Sequence, residues 1–501
     1  MRFALYLKNL DEEYQISVYR GVKSQIEAMG AELICVQNGI PGNSPRAETD
    51  LFPAHEFIAA DGIMLLNTAL FDRIDMNFLG KLRNIFPAIP IVSIGVAVDG
   101  YPSIIIESRN TMKTLMEHLT GFHDYNDLLY IGGPAEHEDN KIRETVFREH
   151  ILSLSSQVPP VNGDIINTQF HETAGMLALR KYITDRKGKP PQAIVAGNDY
   201  IAMGALKTIS SQSDPVWQNC TVTGFDDIDQ AKYVTPALTT IRQPLEELGK
   251  IAVQTLAALV KGENTDPVIK VDSHLVIRNS CGCLGYQDEI DLKDIPSRGP
   301  QEQQLRNMFL YAQNMETIAT REEIIPHLTF LLNNLNVKTF YFIAYKDPQT
   351  RIGMNHGEEL IYCRIGGKDF SYAGNPQPVE TKNFFKTQIT EDLPYIDLEN
   401  ISAIKTHSRA WCLYPLRSGG EYLGYLLYEV QDNMHLYICS AAAFITNTLK
   451  RLRNMQDDIY RRLAEISMFC KNIKSEQSAE SFMPELSGMI DEALQCGRQH
   501  K

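Results

Sequence analysis

Along the first 285 residues, apolar and polar positions follow one repeating order: a short apolar run, an amphipathic run, then a turn signal. Phe3–Leu7 is an apolar run of strand length. Between Ile16 and Met29 the apolar residues Val18, Val22, Ile26 and Met29 recur at helical spacing, and Gly30 follows where a helix ends in a left-handed turn. Ala31–Val36, Asp61–Leu66, Ile89–Ile94, Leu128–Ile131, Ala193–Ala196 and Thr221–Gly224 read as further strands. Helices are expected over Thr111–Leu119, Glu172–Tyr182 and Tyr200–Ser210. Continuous apolar strands separated by helices predict an α/β fold, with parallel sheets covered on both faces. In such sheets a ligand binds beyond the carboxyl ends of the strands.

The pattern changes after residue 285. Residues 286–302 are polar, charged and broken by Pro296 and Pro300, which reads as a linker. A helix is expected next, with Leu305, Met308, Ala312 and Met315 on one stripe. Residues 322–450 read as an α+β domain, with a strand over Thr339–Tyr345 and a hairpin of Trp411–Leu416 with Tyr422–Val430. Beyond it, Ile445, Leu449, Leu452, Gln456, Ile459, Leu463, Ile466 and Cys470 are spaced 4, 3, 4, 3, 4, 3 and 4 residues apart. That is a heptad seam with one polar core position, which predicts a parallel homodimer; the alternative is one amphipathic helix packed on its own domain. The resulting division is 1–285, a linker and helix over 286–321, 322–450, and a helix and tail over 451–501.

A chain of 501 residues is too long for one hydrophobic core, in keeping with this division. The formal net charge of −14 argues against a broad cationic surface for nucleic acid or acidic lipid, so neither membrane nor direct DNA binding is expected. No run is apolar enough to span a bilayer, and the stretch from Met1 to Lys8 turns polar too soon for a signal peptide. The expected location is the cytoplasm. The nine cysteines are odd in number and mostly isolated in apolar segments, as in a reducing compartment. Cys281-Gly282-Cys283 is the exception. One residue between ligands is a poor zinc spacing, and no second Cys/His pair lies nearby in sequence. These thiols are therefore read as structural, with a redox or metal role as the lesser reading. His118 is read as a helix-surface residue. No phosphate-cradling loop, metalloprotease motif or nucleophile elbow occurs, so no catalytic residue, metal or cofactor is expected.

Several blocks carry a likeness to a known family. They are Tyr130-Ile131-Gly132-Gly133-Pro134, Arg143 with Phe147, Ala196-Gly197-Asn198-Asp199, Val222-Thr223-Gly224-Phe225-Asp226-Asp227, and Pro236-Ala237-Leu238-Thr239-Thr240-Ile241-Arg242-Gln243-Pro244, with Leu248-Gly249 and Leu275-Val276-Ile277-Arg278. Together they make residues 1–285 resemble the effector-binding half of the lactose/galactose repressor family, a two-lobed periplasmic-binding-protein-like fold. The resemblance implies a small polar ligand, such as a sugar, in the interlobe cleft. It places Arg143, Asn198 and Asp226 on ligand hydroxyls and Phe170 against a sugar face. Asn110 falls at a polar cleft position, and Tyr14 and Gln15 reach the ligand from the other lobe. Arginine offers a planar set of donors, and asparagine donates and accepts at once, as sugar recognition requires. Each residue also has a plain structural reading: Asn198 and Asp199 as helix caps, Asp226 and Asp227 as turn residues, Arg143 on a helix surface and Phe170 in the core.

Two departures from the family stand out. Met1 is followed at once by the first strand, so the helix-turn-helix head of the family is expected to be absent. The segment Leu413–Leu416 with Tyr422–Leu426 and the helix after it resembles the end of a GAF domain, which the family lacks. Arg278-Asn279-Ser280-Cys281-Gly282-Cys283 resembles the end of sensor halves in bacterial signalling proteins. The leading expectation is a non-enzymatic sensor that passes cleft closure to a downstream signalling protein. The alternative is a transcription regulator working through a cryptic or partner-supplied DNA-binding element.

Overall fold

The computed structural model describes residues 1–8, 10, 13–37, 60–67, 89–156, 160–185, 189–283, 315, 318, 320–345, 358–365, 367–371, 377–378, 410–418, 421–429 and 438–455. Two parallel sheets make up the first half of the chain. The first contains β1 (Arg2–Leu7), β2 (Glu32–Gln37), β3 (Gly62–Leu66), β4 (Ile91–Ile94), β5 (Ser103–Glu107) and β11 (Val268–Asp272), in the order β11-β5-β4-β3-β1-β2. The second contains β6 (Asp127–Gly132), β7 (Asn162–Asn167), β8 (Ala193–Ala196) and β9 (Thr221–Thr223), in the order β7-β6-β8-β9. The apolar runs form the inner strands because both faces are covered. Phe3 to Leu7 are at most 2% exposed, and Leu128 to Ile131 are fully buried.

Helix α1 (Glu13–Ala28) covers the first sheet together with α6 (Leu245–Val260). The two approach so closely that a Cβ on Gly21 would lie 1.9 Å from the Glu246 carbonyl oxygen, and one on Gly249 would lie 2.3 Å from that of Val18. The second lobe carries α2 (Arg109–Glu117), α3 (Glu138–Leu154), α4 (Glu172–Asp185) and α5 (Asp199–Ser210). The chain passes between lobes after β5, between β10 (Thr240–Arg242) and α6, and between β11 and β12 (His274–Val276). Two of these crossings are pinned together, since Ser273 donates through both its backbone N–H and its hydroxyl to the Glu107 carbonyl.

Local details depart from the sequence reading. Strands β5 and β7 carry no strong period; β7 is an outer strand whose residues are exposed or half-buried. Helix α2 ends earlier than expected and continues into a π turn over His118–Phe122.

The C-terminal half supplies an antiparallel sheet of β13 (Phe340–Tyr345), β14 (Glu358–Ile365), β15 (Lys368–Ser371), β17 (Ala410–Ser418) and β18 (Glu421–Glu429), with the short β16 (Gln377–Pro378) beside β14. Both the aromatic strand and the hairpin anticipated from sequence are present. Strand β17 also runs parallel to β2, pairing Trp411 with Ile34 and Cys412 with Cys35. The first lobe's sheet thereby continues into the C-terminal half as one 12-stranded sheet. At the seam the buried Gln37 amide accepts from Leu10 N–H at 3.0 Å and donates to Tyr428 Oη at 3.2 Å. A line at residue 285 divides the chain, but not this sheet or its core. Helix α7 (Ile324–Asn334) and a helix over 438–455, here α8, pack on the same core.

Helix α8 contains the start of the expected dimer seam. Ile445 and Leu449, 0% and 5% exposed, are buried in the core of their own chain. Thr448 and Arg451 hold the backbone of Met315 from the same helix. The first seam positions therefore follow the intramolecular alternative, because an apolar sheet lies within reach. The seam from Gln456 to Cys470, the linker over 286–302 and the tail fall outside the described residues.

Candidate ligand cleft

The candidate site gathers at the carboxyl ends of the second lobe's strands. Strand β6 delivers Gly132-Gly133-Pro134, β8 delivers Gly197 and Asn198, and β9 leads into Phe225 and Asp226. Arg143 reaches this point from α3. It is 5% exposed, and its Nη1 donates to the Gly197 carbonyl at 2.6 Å. Its guanidinium lies 3.6 Å from the Phe225 ring centroid, a stacked cation–π arrangement. Nη2 is 3.8 Å from Asp226 Oδ1, while Nε has no hydrogen-bond partner among the described residues. Arg143 is thus an inward-facing cation, and the surface-helix alternative does not hold.

Asp226 adopts φ +111° and Asp227 φ +55°, backbone that non-glycine residues seldom enter. Backbone and side-chain bonds hold the strain. Asp226 N–H donates to Ile241 O at 2.9 Å, and Gln243 Nε2 donates to Asp226 Oδ1 at 2.6 Å. Burial pushes the Asp226 carboxyl up to about 6, against the opposing effect of Arg143. Asp227 points elsewhere and pairs with Arg278 at 2.7 Å and Arg242 at 2.5 Å. Asp199 is fully buried, accepting from Thr240 Oγ1 at 2.6 Å and Ile228 N–H at 2.9 Å. Burial and the nearby Asp226 charge push its carboxyl well above the usual range.

The remaining candidates divide. Asn198 is buried and caps α5, accepting from Ile201 N–H at 2.9 Å, so its capping role is realised. Its amide nitrogen is not used by that cap. Phe170 packs edge-on to His137, with ring centroids 5.1 Å apart, and lies over Gly133, where a Cβ would fall 2.2 Å from the ring. The aromatic therefore belongs to the same loop cluster as Arg143. Asn110 is exposed in the first turn of α2. In the first lobe, Tyr14 is half-buried against the core. Gln15 is fully buried and accepts from Lys8 N–H at 3.0 Å, so it braces the loop after β1.

Sequence reasoning did not single out Glu13 or Gln243. Glu13 Oε1 accepts from Asp229 N–H at 2.8 Å, which links the first lobe to the second. Burial raises the Glu13 carboxyl. Its neighbours Tyr14 and Gln15, one and two positions away, are the sequence signal. Asn140 was also passed over. It is fully buried, and its Oδ1 accepts from Gly133 N–H at 2.8 Å and Tyr130 Oη at 3.0 Å, which shapes the Gly-Gly-Pro loop.

Cys281 and Cys283 read from sequence as structural thiols with no second Cys/His pair nearby in sequence, a redox or metal role being the lesser reading, and His118 reads as a helix-surface residue. The pair is supplied from more than 150 residues away: His118, His123, Cys281 and Cys283 place one ligand atom each within 4.8 Å of one another. Sequence proximity was the wrong measure for a tail that returns to the start of the second lobe.

Residues 116–281 match the sequence model of the periplasmic binding protein-like domain. These residues, about a third of the chain, resemble that domain, and the two-lobed α/β architecture is in keeping with its fold. Curated relatives of the chain include the HTH-type transcriptional repressor MelR of Bacillus subtilis, 25% identical over 284 residues, or 55% of this chain and 78% of that one. The ribose operon repressor of Escherichia coli K12 is 28% identical over 197 residues, 39% of this chain and 57% of its own. The ribose operon repressor of Haemophilus influenzae is 37% identical over 100 residues, 20% of this chain and 30% of its own. Among solved structures, transcription regulator CcpA of Lactococcus lactis aligns over 56% of this chain and 98% of its own, at 20% identity and a TM-score of 0.47. Among the described residues, no helix is long and apolar enough to cross a membrane.

Proposed function

We propose that this chain is a ligand-responsive regulator whose periplasmic binding protein-like domain holds a small polar molecule, most fittingly a neutral sugar, between its lobes. The observation that supports this reading is Arg143: a buried guanidinium stacked on Phe225, beside Asp226, with one donor unpartnered among the described residues. A carboxylate acceptor, an amide and a cationic donor set at one strand edge suit hydroxyl groups, and Phe170 offers an apolar face. The acidic neighbours Asp226 and Glu13 disfavour an anionic ligand. In this reading the chain is not an enzyme and stays in the cytoplasm, and its C-terminal half is a GAF-like domain that relays lobe closure, as a homodimer, to a downstream signalling protein. The names of its relatives support a second reading, a transcription regulator that acts with a partner-supplied DNA-binding element.

The test is a thermal-shift screen with neutral mono- and disaccharides, followed by calorimetry on any that raise the melting temperature. Arg143→Ala and Asp226→Ala should each cost about 1.5–3 kcal/mol, roughly a 10- to 150-fold loss of affinity. Unchanged affinity in both folded variants would remove the cleft assignment. A mobility-shift assay with genomic fragments separates the second reading, and light scattering on the full chain and on Leu463→Asp tests the dimer.

A further inference from the structure

The Cys/His cluster lies in the second lobe and involves none of the cleft residues. Its two histidines owe their alignment to the π turn over His118–Phe122. Five residues along an α-helix is about 140° around the axis, which would send the two imidazoles to different faces. The wider turn closes with His123 N–H donating to His118 O at 3.2 Å, and it brings both rings to one side, with centroids 4.8 Å apart. Both Nε2 atoms then approach the same sulfur: Cys283 Sγ is 3.7 Å from His118 Nε2 and 3.4 Å from His123 Nε2.

The cysteines arrive on the segment after β12. A 3-10 turn over Asn279–Cys281 is anchored by Ser280, whose N–H donates to Ala237 O at 2.9 Å and whose hydroxyl accepts from Thr239 N–H at 2.8 Å. Gly282 follows with φ +88°. A Cβ there would touch nothing within 4 Å, so glycine is required for its backbone conformation rather than for space. That left-handed step lets two cysteines separated by one residue present both sulfurs to one point.

We propose that His118, His123, Cys281 and Cys283 hold one tetrahedral zinc ion that fastens the end of the binding domain to the start of its second lobe. Zinc–sulfur and zinc–nitrogen bonds of about 2.3 and 2.0–2.1 Å imply sulfur–nitrogen edges of about 3.6 Å in a tetrahedron. The observed separations of 3.4 and 3.7 Å bracket that value. Two thiolates with two imidazoles favour zinc over the hard, oxygen-preferring cations. Thr239 Oγ1 lies 3.2 Å from Cys281 Sγ, a hydrogen-bond donor behind the ligand as metal thiolates commonly have. Binding releases the two thiol protons, and two thiolates with two neutral imidazoles leave a Zn²⁺ site without net charge. All four ligands come from the protein, which makes the site structural, with no open position for catalysis. The four side chains close a loop spanning most of the second lobe, immediately before residue 284. The clamp therefore fixes where the chain leaves the second lobe.

The test uses the untagged full chain purified under reducing conditions, incubated with excess zinc and passed over a desalting column. Elemental analysis should find about one zinc per chain. Cobalt in place of zinc should give the intense visible bands of a tetrahedral thiolate–imidazole site. Cys283→Ser and His123→Gln should weaken zinc affinity by more than the roughly 10- to 100-fold contributed by outer-shell partners. His150→Gln, a nearby histidine held by Thr120 outside the cluster, should keep its zinc. Circular dichroism identifies any variant that fails to fold, and the wild-type cobalt spectrum stands independently of all variants. Wild type without stoichiometric zinc, zinc retained in both ligand variants, or a Cys281–Cys283 disulfide in the reduced preparation would each overturn the proposal.

Discussion

The two lobes of the binding domain have similar layered architecture and different surroundings. Among the described residues the second lobe's sheet has four strands, β7-β6-β8-β9. The first lobe's sheet does not stop at β2, because β17 pairs with it and carries the ladder into the C-terminal half. One hydrophobic core accordingly includes Leu33 and Leu248 together with Phe342, Leu426 and Ile445, while Leu129, Leu179 and Trp217 form a separate core in the second lobe. On the proposed reading, closure of the cleft would move one lobe against the other, and because the first lobe is continuous with the C-terminal sheet, the second lobe would be the moving part.

The sharpest way to break this comparison is to hollow each core separately. Leu33→Ala and Leu129→Ala should each cost about 2–5 kcal/mol, since both side chains are fully buried. Hydrogen exchange should then separate them. Leu33→Ala should loosen the first lobe and strands β17 and β18 together, whereas Leu129→Ala should loosen β6 to β9 and leave the C-terminal strands protected. Equal loosening everywhere would mean the cores are not separate cooperative units.

A smaller effect comes from pH. Asp226, in the second lobe, has a carboxyl pushed up to about 6 from an ordinary value of 3.8. The folded state therefore binds its proton more tightly than the unfolded state. That contribution is fully present below about pH 4 and is lost as pH rises through about 6. Asp199, shifted in the same direction, adds to the trend. Denaturant titrations of Asp226→Asn should show a shallower decline in stability between pH 4 and 6 than wild type. An identical slope would place the proton elsewhere. If a sugar hydroxyl donates to this carboxylate, affinity should rise over the same interval in wild type only.

The smallest expected effect concerns the contact between lobes. Glu13→Ala removes the acceptor for Asp229 N–H, a bond worth about 0.5–1.5 kcal/mol. That should shift the balance between open and closed forms by roughly 2- to 10-fold, visible as a change in radius of gyration without ligand. No change would assign the bond to local loop packing rather than to closure.

Much of this architecture is legible in the chain. The apolar runs at Phe3–Leu7, Leu128–Ile131 and Ala193–Ala196 fall in buried strands. Gly30 follows α1 with φ +65°, the left-handed conformation expected after a helix. Arg143 and Asp226 were chosen by resemblance, and the fold brings them within 3.8 Å. Gln15 and Asn198 show the limit of such choices. A polar residue after a strand lies near the cleft, but whether it faces a ligand or satisfies its own backbone depends on a turn geometry that residue type alone does not specify.

Local pattern determines which face of each element is apolar, because side-chain direction repeats every two residues in a strand and every 3.6 in a helix. It does not determine which partner covers that face. Ile445 and Leu449 fit a dimer seam and a core stripe equally well by spacing, and the nearby sheet decided between them. Strand β2 is apolar from Leu33 to Val36, and nothing in Glu32–Gln37 says that its free edge will take Ala410–Ser418 as a neighbour. Edge pairing uses backbone groups that every residue carries. The gathering of His118 and His123 with Cys281 and Cys283 depends on a π turn at one end and a left-handed glycine at the other, joined by a stretch of chain that crosses between the lobes twice. The ligand chemistry was present in the sequence, and only the chain's path through space made it a site.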